Sequence, residues 1–351
     1  MARRQKRVAG AGLLALDVVV YIEGKSDAIA HAGGTCGNVL SVLSYLNWSS
    51  SAVGYLGDDE AGRLVRKDLI QAKVVSEHLH HKIGAVTPVF VQQLQHDEQG
   101  IPHHTFTRKC PSCGSPMEAG SLATTPIKKF DNDEAPDVFF MDRLSHDILA
   151  LAESAKARGA VVYYEPSAKS DASFWSDACT LVDIVKYSAD RFSPGELETF
   201  THSGRPMWEV QTMGAKGLRY RHHADHRIKP SNWIASGGYK APRVVDTCGA
   251  GDWCSAGLLS RLLSKEQDIA SEAVFTDAVH HGQALAAWAC AFVGARGAMY
   301  ASTRSQTVEA VREISEGEAI DMTPWPRMKK RHSTQHLPRS FCSTGPCVEV
   351  K

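Results

Sequence analysis

The sequence predicts a doubly wound α/β fold, a mostly parallel sheet flanked by helices, with a small β-sheet lid. Three observations predict it. Short apolar runs such as Asp137-Val-Phe-Phe-Met141 and Ala160-Val-Val-Tyr-Tyr164 are separated by helical patterns such as Ile148 to Arg158. Strands alternating with helices run parallel and carry helices on both faces. Between about residues 80 and 130 that alternation stops, and Thr87 to Leu94 and His103 to Thr107 read as strands of a more exposed sheet. Finally, Val244 to Leu258 joins a strand end to an apolar helix through a glycine-rich turn, the place where such folds hold anions.

The remaining elements follow in order. Val8 to Val20 reads as strand, broken by glycine, and Asn38 to Leu46 as a helix with Val39, Leu40, Val42, Leu43 and Leu46 on its apolar side. Ala52 to Leu56 is a short strand and Gly62 to Ala72 an amphipathic helix. Leu181 to Val185 and Trp208 to Thr212 continue the buried series, and the Lys-, Arg-, His-, Pro- and Ser-rich stretch after Pro324 reads as an irregular tail.

With 39 basic and 39 acidic residues among 351, the chain has no net charge to draw it to nucleic acid or an anionic membrane, and neither is expected as a partner. The basic residues before Arg7 and the apolar run after it imitate a secretory signal. Asp17 interrupts that run and no small-residue cleavage site follows, so a charged leader before a first strand is expected. Nine cysteines, several in apolar or glycine-rich segments, do not make a secreted disulfide framework; a reducing, cytoplasmic setting is expected.

The string Asp246-Thr-Cys-Gly-Ala-Gly-Asp252 carries the chemistry. Gly249, Ala250 and Gly251 let backbone amides crowd toward one point, and the helix behind them adds its positive end, which suits a phosphate or a developing oxyanion. Asp252 stands at the helix start, where it can cap the helix or accept a proton from a substrate hydroxyl.

This string resembles the C-terminal signature of the ribokinase-like, phosphofructokinase B type kinase family. Gly33-Gly34 with Asn38, and Gly54 to Gly62, are similar to that family's N-terminal signature; Gly10-Ala-Gly12 with Asp17 resembles its first strand. Thr212-Met-Gly-Ala-Lys-Gly217 is similar to its nucleotide-side turn, and Ala289 to Ala298 to its adenine-side segment, so the resemblance covers about residues 8 to 302. It implies ATP-dependent phosphorylation of a sugar, nucleoside or related alcohol, with MgATP as phosphoryl donor. By it Asp252 is the catalytic base and Gly249, Ala250 and Gly251 the anion hole. Asp17, Gly33, Gly34 and Asn38 would bind the acceptor, and Thr212, Gly214, Gly217 and Thr247 the nucleotide. Residues 1–325 would form the kinase domain, with lid strands within about 14–24 and 80–130, and 326–351 the tail. Where many members carry Asn-x-x-Glu to organise magnesium through water, this chain has Ser188 and Arg191, with Asp190 or Glu196 as substitute carboxylates. A weakened, regulatory kinase-fold protein is the alternative that this departure raises.

Other signals are weaker. Gly10-Ala-Gly12-Leu-Leu-Ala15 fits a loose dinucleotide fingerprint, with Asp27 as its acidic partner, but strand rather than helix is expected after it. No Gly-x-x-x-x-Gly-Lys-Ser/Thr string occurs. Cys110-Pro-Ser-Cys113 has the spacing of a zinc knuckle, which Cys342 and Cys347 as the preferred pair, His103 and His104, or the same cysteines of a second copy would complete as a structural site or interaction module. His104, Thr105, Phe106 and Arg108 are candidate lid contacts to the acceptor. Exposed lid edges favour a homodimer, because pairing covers them.

Overall fold

The computed structural model describes residues 4–21, 29–96, 102–110, 114–116, 135–166, 172–192, 206–223 and 231–325. Within it the run Val8 to Val20 is two strands in two sheets. The first, β1 (Arg7–Ala11), lies inside the large sheet, and β2 (Ala15–Tyr21) crosses into a small one. Gly12 makes the break possible. A Cβ there would lie 1.9 Å from Oδ1 of Asp142, which instead accepts a 2.7 Å hydrogen bond from the Leu13 amide. Because strand β2 follows this glycine turn, the dinucleotide reading of residues 10–15 lacks the helix it requires.

The large sheet also holds β4 (Ser49–Gly57), β5 (Leu79–Lys82), β8 (Val138–Met141), β9 (Val161–Tyr164), β10 (Ile184–Ser188), β11 (Trp208–Thr212), β12 (Leu218–His222) and β13 (Ile234–Ser236). Its order is β13-β12-β11-β10-β9-β8-β1-β4-β5, parallel from β11 to β5, with β12 and β13 antiparallel at one end. Residues 79–82, at the start of the stretch read as lid, thus belong to the large sheet. The strand expected at Leu181 to Val185 is shifted: Leu181 closes helix α4 (Ala172–Leu181), and the strand runs Ile184–Ser188. A short apolar run has no period of its own to separate the last turn of a helix from the first residue of a strand.

Alternation along the strands sorts the core into two faces. Phe139, Met141, Val162, Tyr164 and Val185 pack under α4 and α3 (His146–Ala157). Val138, Phe140, Tyr163, Ile184, Trp208 and Val210 face four other helices: α1 (Thr35–Tyr45), α5 (Ala250–Leu262), α6 (Glu272–Ala289) and α8 (Arg304–Glu316). Trp208 stacks on Phe275 of α6 at 4.0 Å between ring centres. Val39, Leu40, Val42 and Leu43 of α1 are fully buried, each worth roughly 1.5–3 kcal/mol of apolar burial. A short helix, α7 (Gly297–Ala301), lies between α6 and α8, and α8 opens on a capping box of Thr303 and Gln306.

The small sheet has the order β3-β2-β6-β7, with β3 (Ile29–Gly33), β6 (Val89–His96) and β7 (Pro102–Thr107) around β2. Its Leu16, Val18 and Val91 join the large core beside α2 (Glu60–Gln71), while Asp17, Val19, Gln92 and Leu94 share the opposite face. Among the described residues no helix is long and apolar enough to cross a membrane. The tail, 326–351, lies outside the described residues.

Candidate active site

Open α/β sheets bind ligands beyond the carboxyl ends of their strands, and here those ends converge on the start of α5. Gly249 caps that helix in the left-handed region, φ 75°, and a Cβ on it would lie 2.6 Å from Cα of Ala295. Only glycine allows this approach, so the first-turn amides of α5 other than that of Ala250, which donates to the Thr247 carbonyl, are offered at the site. Gly251 is exposed, so the loop is open to a ligand.

Asp252 lies on the first turn, 9% exposed, and accepts a 2.7 Å hydrogen bond from Nδ2 of Asn38 on α1. Burial and the nearby Glu165 carboxylate push the Asp252 carboxyl up to about 8, against the pull of Asn38, Lys186 and Arg191. A carboxylate in that range is a far stronger base than an ordinary one, as proton abstraction from an alcohol requires. The other amide atom of Asn38, Oδ1, is buried with no hydrogen-bond partner among the described residues. A hydroxyl donor brought beside Asp252 would satisfy it.

Beneath the loop is a buried ion pair. Nζ of Lys186, on β10, donates to Oε1 of Glu165 at 2.5 Å, and Glu165 Oε2 accepts from Ser255 of α5, also at 2.5 Å. Tyr163 donates in turn to Ser255 at 3.1 Å. A Cβ built on Gly251 would lie 3.7 Å from Nζ of Lys186, so the ammonium stands beside the loop. Sequence reasoning missed this pair. Its signal was a single charge at the carboxyl end of each of two buried runs.

Asp17, on the site face of β2, is buried to 7% exposure. Burial raises its carboxyl to about 7, opposed by Arg296 and by the Gly34 amide. Arg296, fully buried, pairs with Asp68 of α2 and donates to Ser41 at 2.8 Å, tying α1 and α2 to the segment before α7. Gly33 makes room for Asp17, since a Cβ there would lie 1.9 Å from its Oδ2. Gly34 has φ 80°, and a Cβ on it would lie 2.4 Å from the Leu13 carbonyl. Gly33→Ala is therefore expected to displace the Asp17 carboxylate and, if Asp17 holds the acceptor as the sequence resemblance implies, to raise acceptor KM at least about tenfold with MgATP KM nearly unchanged. Steady-state kinetics in both substrates check this.

Thr212 ends β11 beside Ser188, and the turn Gly214 to Gly217 leads back into β12. Gly217, φ 91°, passes so near Ser236 that a Cβ would lie 2.2 Å from its carbonyl oxygen. Thr247 is exposed beside the anion loop, and its carbonyl accepts from the Ala250 amide at 3.2 Å. Ser188 and Asp190 form the turn after β10, with Ser188 Oγ accepting from the Asp190 amide at 3.2 Å. Arg191 is exposed there, and its charge reaches both Asp252 and Cys248. Glu196 lies outside the described residues.

Asp246 organises the loop from its first position. Its Oδ1 accepts from the Cys248 amide at 2.9 Å and faces Nδ1 of His104 at 3.2 Å. Its Oδ2 accepts from the Gly294 amide at 2.8 Å and from Nε2 of Gln92 at 2.7 Å. His104 therefore meets a loop carboxylate. Thr105, Phe106 and Arg108 are exposed, with Arg108 over the Phe90 ring at 5.3 Å. Of the cysteines grouped as a zinc set, Cys110 is buried, its amide bonded to the Ser115 carbonyl at 2.8 Å. Cys113, Cys342 and Cys347 lie outside the described residues. Among the described residues no group of three or more His, Cys, Asp or Glu is arranged to hold a metal ion, so nothing supports the zinc reading.

Comparison with known proteins gives a consistent set. The family model described as pfkB family carbohydrate kinase matches residues 125–301. Fructokinase-1 of Zea mays is 27% identical over 313 residues, covering 82% of this chain and 92% of that protein. An ATP-dependent ribose-1-phosphate kinase from Halopiger xanaduensis is 23% identical over 273 residues, covering 74% of this chain and 85% of that protein. Among solved structures, fructokinase from Vibrio cholerae O395, with fructose, ADP and calcium ion bound, has a TM-score of 0.65 at 23% identity, covering 88% of this chain and 99% of its own. Arabidopsis thaliana ribokinase, complexed with ribose and ATP, has a TM-score of 0.66 at 17% identity over 88% and 99% of the two chains. The structural likenesses establish the ribokinase-like fold.

Proposed function

Since this chain belongs to the pfkB family of carbohydrate kinases, we propose that it moves the γ-phosphoryl group of MgATP to a hydroxyl of a monosaccharide, with Asp252 as general base. The observation that carries this reading is the Asp252–Asn38 pair at the head of α5: a buried, basic carboxylate beside an unsatisfied amide oxygen and a glycine loop. Asp17 and Asn38 hold the acceptor. Its hydroxyl oxygen attacks the γ-phosphorus in line, the new P–O bond forms as the bond to ADP breaks, and the proton goes to the Asp252 carboxylate. The Gly249–Gly251 loop and the helix end behind it stabilise the charge on the moving group. Thr212, Gly214, Gly217 and Thr247 flank the nucleotide. The fructokinases among the relatives make D-fructose the first acceptor to try.

ADP release from MgATP, measured with D-fructose, D-ribose, other monosaccharides and a set of nucleosides, tests the proposal. Release stimulated by a monosaccharide is expected. Release no faster with any acceptor than with water contradicts it. The pH profile supplies a second check. Asp252 and Asp17 both act ionised, so kcat/KM should fall as pH drops through about 8 and then about 7. An acidic limb with its midpoint near 4, the range of an unperturbed carboxylate, would contradict the basicity assigned to Asp252.

A further inference from the structure

Among the described residues the Asp246 carboxylate accepts from four donors, and two of them belong to the small sheet: Gln92 on β6 and His104 on β7. Both stand on the face of that sheet that carries Asp17: Asp17 is opposite Phe90, Val19 is opposite Gln92, and Gln92 and Leu94 are opposite Phe106 and His104. Val19 and Leu94 of this face pack on Val245 and Val293, the residues preceding Asp246 and Gly294. A carboxylate can only accept, so the His104 nitrogen that meets it carries the proton. The other two donors are the amides of Cys248, next to Gly249, and of Gly294, next to Ala295. Ala295 is the residue against which Gly249 is closed. One carboxylate, 1% exposed, thus joins the sheet that holds the acceptor carboxylate to the loop that faces the phosphoryl group.

We propose that Gln92 and His104 are positioning residues: from the small sheet they seat Asp246, and through it the anion loop. Without these two side chains the buried carboxylate loses two of the four donors it has among the described residues. Asp246 then keeps only its backbone partners, and the Cys248–Gly249 turn loses its fixed register. This inference rests on reading residues 249–252 as the phosphoryl site.

Hydrogen exchange on the full chain without ligand, together with steady-state kinetics in the best acceptor, tests it in four proteins: wild type, Gln92→Leu, His104→Ala and His104→Asn. Gln92→Leu and His104→Ala should speed exchange in residues 246–251, with α6 and α8 unchanged. They should lower kcat about 10- to 100-fold with MgATP KM altered less than about threefold. His104→Asn, whose amide nitrogen can replace Nδ1, should recover most of both properties. Unchanged loop exchange in both defective variants overturns the proposal, as does faster exchange throughout the chain. A wild type that phosphorylates no acceptor defeats the kinase reading alone, because the exchange experiment still decides whether the small sheet holds the loop.

Discussion

Asp252→Asn is expected to lower kcat about 10²- to 10⁴-fold while the protein remains folded and, at alkaline pH, becomes more stable. Asparagine keeps the shape and the bond from Asn38 but cannot take the acceptor's proton. The stability gain has a definite sign. Burial raises the Asp252 carboxyl from 3.8 to about 8, so between those values the folded protein binds a proton that the unfolded chain releases. Stability therefore falls as pH rises through that window, and the neutral variant escapes the loss. Thermal unfolding should show the variant close to wild type near pH 4 and several degrees above it at pH 9. Equal unfolding temperatures at both pH values would mean that the Asp252 charge is not held at a cost.

Lys186→Met should produce the largest loss of stability. Lys186 is 1% exposed, and its partner Glu165 is 8% exposed. Removing the ammonium leaves a buried carboxylate with only Ser255 as side-chain partner among the described residues. Breaking a buried pair from one side costs about 3–5 kcal/mol, most of it from the charge left behind. Chemical denaturation of both proteins measures it. The double variant Lys186→Met with Glu165→Gln should regain much of the loss, because no charge then remains unpaired. Kinetics give a second signal: Lys186 pulls the Asp252 carboxyl down, so its removal should move the acidic limb of the rate profile to higher pH. A loss below about 1 kcal/mol, the value of an exposed pair, would show that the pair is solvated.

What could be read in the chain follows from how locally each feature is written. The glycine-rich loop, Asp246 to Asp252, is contiguous, so turn, helix start and candidate base could be read together. The buried runs at Val138–Met141 and Val161–Tyr164 identified central strands because no other element is so short and so apolar. Glu165 and Lys186 were invisible because each stands alone beside an apolar run, and only the register of β9 with β10 brings them within 2.5 Å. The Arg296–Asp68 pair joins residues 228 positions apart, and no pattern predicts such a meeting. Strand β3 was missed because Ile29 to Gly33 is short, and its pairing with β2 is set by tertiary structure. His104 was suspected for its place in the lid, but its partner, Asp246, is supplied by the far end of the chain.

The central claim, that phosphoryl passes directly to an acceptor hydroxyl under the control of Asp252, is tested most directly by ³¹P NMR. MgATP and the acceptor that gives the fastest ADP release would be incubated with wild type and with Asp252→Asn. The account predicts a new sugar phosphomonoester signal growing in step with ADP for wild type and almost none for the variant. Inorganic phosphate as the only product, or an equal phosphomonoester signal from the variant, would contradict it.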